Sequence, residues 1–158
     1  MDAITLLRDD HQNVRRLFKE FEAAGDEAHT SKRRIVDQII QELTVHAFIE
    51  EELFYPMVAG LEAQGRGEEP EELVKEAQEE HAQVKTLLSE LETMSPEDET
   101  FDAKVTVVID DVRHHAEEEE QEMFKVAEKL GKDELSALAE QMQARFKDFE
   151  SSKGSEAA

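Results

Sequence analysis

Four stretches of this chain carry apolar residues at helical spacing, and each stripe is interrupted by a histidine. Ile4, Leu7, Val14, Phe18 and Phe21 share a stripe with His11. Ile35, Ile39, Leu43 and Leu53 share one with His46 and Glu50. Leu73, Ala77, Val84, Leu88 and Leu91 line up with His81. Val105, Ile109, Val112, Met123, Val126 and Leu130 line up with His115 and Glu119. A period of 3.6 over such lengths specifies amphipathic helices, and no period-two alternation offers a strand in their place.

Punctuation residues set the limits. Asp2 is a predicted N-cap, and the first helix is expected to end around Gly25. The second should start after Ser31 and stop at Pro56, with Gly60, Gly65 and Gly67 closing it off. Pro70 opens the third, and Ser95-Pro96-Glu97 restarts the chain for a fourth that stops at Gly131. A shorter stripe of Leu135, Leu138, Met142 and Phe146 or Phe149 follows. The pattern predicts an all-α fold: an up-down-up-down four-helix bundle over about residues 3–130, with an additional C-terminal helix over about 132–150. One domain spans 1–150, and 151–158 (SSKGSEAA) reads as a flexible tail.

Composition narrows the function. The 158 residues suffice for one domain with a real core, and 6 Gly and 3 Pro leave long helices uninterrupted. A net charge of −22 repels phosphate backbones and anionic lipid, which argues against nucleic acid and membrane surfaces as partners. With no cysteine, disulfides, thiol nucleophiles and thiolate-bound zinc or iron–sulfur clusters are excluded. The start, MDAITLLRDDH, has no basic-then-apolar leader, and no apolar run reaches the roughly 18 residues of a membrane span. A cytoplasmic location is expected.

Of the six histidines, His29 is expected in the loop between the first two helices and His114 on a flank, beside Asp110 and Glu118. The other four fall one per helix. In an alternating bundle, at about 1.5 Å per residue, all four lie roughly 14 to 23 Å from the same end. They can therefore meet at one level. His46 with Glu50 and His115 with Glu119 stack at i,i+4, and HAFIEEELFYP and HAEEEEQEMFK repeat the same register, ending in aromatic Tyr55 and Phe124. Buried carboxylates need compensating charge, and no Lys or Arg falls on the stripes beside them. A metal is the natural counter-charge. Six ligands exceed one tetrahedral zinc, whereas two ions bridged by Glu50 and Glu119 use them all and leave positions open. The alternative is a hydrogen-bonded His/Glu network without metal.

The constellation H…HxxxE…H…HxxxE, here His11, His46/Glu50, His81 and His115/Glu119, resembles the hemerythrin-like family in its bacterial HHE cation-binding form. It extends over about residues 3–130. The resemblance implies two iron ions, a di-iron centre with an oxo, hydroxo or water bridge. One iron would be held by His11 and His46, the other by His81 and His115, with Glu50 and Glu119 bridging. Leu7, Val14, Leu53, Val84 and Val112 would keep the site dry. Dioxygen, peroxide or nitric oxide would be the ligand, with catalase-like peroxide removal among the activities implied. An oxygen or nitric oxide sensor, or an iron-buffering module without turnover, is the alternative; no protein partner is specified.

The chain departs from oxygen-carrying hemerythrins in two places. They have a second histidine four residues after the third-helix one, where this chain has Lys85, and their last ligand is an aspartate five residues on, where this chain has Glu119 at four. Reversible oxygen carriage is therefore not expected, and redox chemistry is favoured. Tyr55 is the nearest side chain that could fill the vacant position, but on a regular helix it sits off the stripe and is expected to pack. Ferritin-like bundles use Glu-x-x-His. Here Leu43, Gln78 and Val112 stand three residues before His46, His81 and His115.

Overall fold

The computed structural model describes residues 1–63 and 70–157. Helix α1 is Ala3–Ala23, and its N-cap Asp2 accepts from the Thr5 amide at 2.9 Å. Helix α2 is His29–Ile49. It continues through a π-helical turn, Glu50–Phe54, into α3, Tyr55–Ala63. Helix α4 is Pro70–Glu92, and α5 is Phe101–Glu118. A second π turn, Glu119–Met123, leads to the short α6, Phe124–Ala127, and a 3₁₀ turn, Glu128–Leu130. Gly131, at φ 89°, makes the left-handed break that separates these from α7, Lys132–Ala157. Among the described residues there is no strand, and no helix is long and apolar enough to cross a membrane.

The bundle is the expected one. Helix α1 packs on α2, α3 and α5 both pack on α4, and α5 closes back onto α1. Helix α7 lies across α1, α2 and the first π turn. It buries Leu135, Leu138 and Met142, and Phe149 meets Phe48 edge to face at 4.9 Å.

Three boundaries differ from expectation. His29 is the first residue of α2 rather than part of a loop, because the Ala28 carbonyl already accepts from the Lys32 amide at 2.9 Å. Pro56 does not end its helix. In the π turn the Tyr55 amide bonds back to the Glu50 carbonyl, so Pro56 falls in the first turn of α3, where its missing N–H costs little. The expected stop at Gly60 is inside α3, and Gly65 and Gly67 lie outside the described residues. Helix α7 continues past 150 to Ala157, over the segment read as a tail.

The core has two parts. One packs Leu7, Ile49, Phe54, Tyr55, Val58, Leu61 and Phe124 with the buried face of α7. The other packs Val14, Phe18, Phe21, Ile39, Phe101, Val105 and Ile109. Along α1, α2 and α5 the stripe histidines stand where one cluster gives way to the other.

Phe101 starts α5 and is fully buried in the second cluster. Phe101→Ala is expected to cost about 3–5 kcal/mol in urea-unfolding experiments. Val107→Ala, at a 47% exposed position, should stay within about 0.5 kcal/mol.

Candidate metal centre

All six ligand candidates are buried. Glu50 has 0% exposure and Glu119 3%, and the four histidines lie between 5% and 8%. The other buried charged side chain among the described residues is Lys32, which is paired with Asp102 at 2.8 Å.

The cluster closes at the Nε2 atoms. His46 Nε2 lies 2.8 Å from Glu50 Oε1, and His81 Nε2 lies 3.3 Å from the same oxygen. His11 Nε2 is 3.3 Å from Glu119 Oε1, and His115 Nε2 is 3.2 Å from Glu119 Oε2. Each carboxylate thus touches one imidazole from each half of the chain. The ligand atoms form two overlapping groups that could hold an ion: His11, His46, Glu50 and Glu119, and Glu50, His81 and His115. Both oxygens of Glu50, Glu119 Oε1, His11 Nε2 and His46 Nε2 are buried and, although close to one another, make no aligned hydrogen bond. Such atoms are costly unless a cation meets them, and their convergence fits one.

Around this cluster stands a ring of carboxylates. His11 Nδ1 pairs with Glu120 at 3.2 Å, His46 Nδ1 with Asp10 at 3.1 Å, and His115 Nδ1 with Glu80 at 2.9 Å. Glu51 approaches His81 Nδ1 at 3.5 Å. A proton held on Nδ1 leaves the Nε2 lone pair free for a metal. Sequence reasoning missed all four acids, although each adjoins a ligand candidate in the chain: Asp10 and Glu80 precede histidines, and Glu51 and Glu120 follow glutamates. One residue is about 100° around a helix, enough to turn a side chain from the core to the neighbouring helix. The arrangement repeats between halves even in its outer cations. Arg15 binds Glu120 at 2.9 Å, and Lys85 binds Glu51 at 2.7 Å.

Tyr55 overturns the expectation that it only packs. Its hydroxyl donates to Glu119 Oε2 at 2.8 Å and lies 3.1 Å from His81 Nε2 and 3.4 Å from His115 Nε2. On a regular helix it would sit about 140° away from Glu50. The π turn starting at Glu50 brings position i+5 nearly back into line. The second π turn does the same after Glu119, where the corresponding residue is Phe124, stacked on His11 at 5.8 Å. Lys85, by contrast, turns outward to Glu51. His114 is exposed and paired with Glu118 at 3.1 Å, on the flank as expected.

Electrostatics follow from the crowding. Burial, reinforced by Glu119 and Glu50, pushes the Tyr55 phenol well above its usual range, so it holds its proton. His11, and Arg15 behind it, hold Glu120 down at about 2 against its partial burial. Burial works against the charged form of His115, but hydrogen bonds to Glu119 and Glu80 outweigh it and raise this histidine to about 10.

On one side the imidazoles form the floor of a cavity of about 330 Å³. Val14, Val84 and Val112 line it as expected, whereas Leu7 and Leu53 pack into the opposite cluster, behind Tyr55 and Phe124.

The chain belongs to the hemerythrin HHE cation-binding domain family, whose model matches residues 2–127. The structure is similar to the crystal structure of a hemerythrin HHE cation-binding domain-containing protein from Mycobacterium kansasii. The TM-score is 0.80 at 25% identity, over 96% of this chain and 89% of that one. A protein of Nostoc sp. described as a DNA nickase is 30% identical over 124 residues, which is 78% of this chain and 33% of the relative. The chain therefore spans about a third of that relative's length.

The raised histidine sets a pH dependence for the metal-free protein. A group lifted from about 6.5 when unfolded to about 10 when folded adds stability that is complete below 6.5 and is lost as pH rises through 10. Urea midpoints of metal-free protein should fall between pH 6.5 and 10, and His115→Gln should flatten that fall.

Proposed function

We propose that the chain holds two iron ions, one on His11 and His46 and the other on His81 and His115, with Glu50 and Glu119 shared between them. The observation that carries this reading is that each carboxylate reaches an imidazole of both pairs: Glu50 touches His46 and His81, and Glu119 touches His11 and His115. A single ion would leave one pair idle. Imidazole nitrogens with carboxylate oxygens suit iron, and the cluster is too large for one tetrahedral ion. Bound there, the irons supply redox chemistry toward dioxygen, peroxide or nitric oxide.

The surrounding residues favour peroxide removal of the catalase type over reversible carriage. Tyr55 keeps a proton beside Glu119, His81 and His115. Lys85 offers no donor to the centre because it is tied to Glu51. Asp10, Glu80 and Glu120 fix three of the rings, and the cavity beside them has mainly apolar walls. The net charge of −22 works against any action on nucleic acid such as the nickase's name describes.

Protein from iron-replete growth is expected to hold about two irons per chain. Glu50→Gln with Glu119→Gln should abolish that, and Glu80→Gln should weaken iron affinity about 10- to 100-fold. Anaerobically reduced protein, mixed in turn with oxygen, nitric oxide and peroxide, decides the chemistry. Sustained oxygen release from peroxide is expected, and Tyr55→Phe should slow it while leaving the iron count unchanged. A stable oxygen adduct without turnover would instead mark a sensor. Ready iron loss to mild chelators at neutral pH would mark a buffer.

Iron occupancy should fall on acidification, because protons compete for the imidazoles. Full occupancy at pH 4, measured by metal analysis after gel filtration, would rule histidine ligation out.

A further inference from the structure

The cavity above the imidazoles is far larger than a diatomic molecule or hydrogen peroxide requires. One water occupies about 30 Å³ in the liquid, whereas this space measures about 330 Å³. Its walls are mainly apolar, with Val14, Phe18, Leu43, Val84, Leu88 and Val112 above a floor of four histidines. Apolar cavities of about 150 Å³ accept benzene, so this one has room for roughly a dozen carbon-sized atoms.

The way in lies between α2 and α4. The exposed residues on the lining, Thr44, Lys85, Ser89 and Glu92, come from those two helices. There the two meet only lightly, while α4 packs closely along α3 and α5. Lys85 stands at this mouth, held aside by Glu51 at 2.7 Å. The residue that costs the centre a nitrogen donor therefore also forms its doorway.

We propose that the cavity binds an apolar organic molecule of about a dozen heavy atoms with one oxygen-bearing end. The hydrocarbon lies along Phe18, Leu43 and Leu88, where it displaces water from apolar wall. The oxygen end points to the floor. Groups at the mouth already face solvent or a partner, whereas His11 Nε2 and His46 Nε2 are buried beside carboxylate oxygens without an aligned hydrogen bond. The inference rests on the proposed di-iron centre only in giving that end a metal to face; the cavity and its lining stand without it.

The test is calorimetric titration of 1-alkanols, ethanol to 1-octanol, into the full chain with and without iron. Affinity should tighten about fourfold per methylene across the series, since 1-octanol is still smaller than the cavity. Val112→Phe and Leu88→Phe, which occupy the space, should each weaken 1-hexanol at least tenfold with thermal midpoints retained. Affinity that is flat with chain length, or folded variants that bind as well as the natural chain, would overturn the proposal. If neither variant folds, the chain-length series decides alone. Absence of alcohol binding by protein that holds two irons defeats this inference and spares the metal reading. Alcohol binding by protein that takes up no iron does the reverse.

Discussion

Two carboxylates and four imidazoles sit where a helical bundle would otherwise bury leucine and valine, and much of the architecture follows from that burden. Glu50 is wholly buried, with Oε1 2.8 Å from His46 Nε2 and 3.3 Å from His81 Nε2. Isolated, such a group costs several kcal/mol, and it persists only where opposite charge is supplied. Protons on the histidines can supply it, as the elevated His115 indicates, and so can a cation. Proton and metal therefore compete for the same atoms. Asp10, Glu80 and Glu120 hydrogen-bond three of the rings and keep them aligned, and Glu51 lies 3.5 Å from the fourth.

The two π turns are the local device that makes the layer possible. Each begins at the glutamate of a His-x-x-x-Glu pair and widens one turn of helix. A regular helix would carry the residue five positions on away from the core. The widened turn returns it, placing Tyr55 over His81 and Phe124 over His11. The same turn resets the hydrogen-bond ladder so that Pro56 is tolerated inside a continuing helix. Beneath them Ile49, Phe54 and Leu61 form a tight plug, and α7 lies over it. The site is thus closed on one side and open to a cavity on the other.

Much of this was legible in the sequence, and the limits were physical. Periodicity marked the helices and put His11, His46, His81 and His115 on their inner faces, because burial imposes the 3.6 repeat directly. The i,i+4 spacing marked Glu50 and Glu119. Tyr55 was misread because its placement depends on a π turn, and the stripe count assumed 100° per residue throughout. Pro56 was misread for the same reason. The outer acids were hidden because a chain with 40 Asp and Glu offers acids next to almost everything, and only the contacts across helices select Asp10 or Glu80.

The two halves of the centre match contact for contact: His11 with His81, His46 with His115, Asp10 with Glu80, Glu120 with Glu51, and Arg15 with Lys85. The clearest break in the match is the phenol of Tyr55 opposite the bare ring of Phe124. A cluster built on one plan twice but furnished with one hydroxyl has a front and a back. Any two cations held there would experience different fields. The bundle keeps its near-symmetry as scaffolding, and Tyr55 is the plainest departure from it.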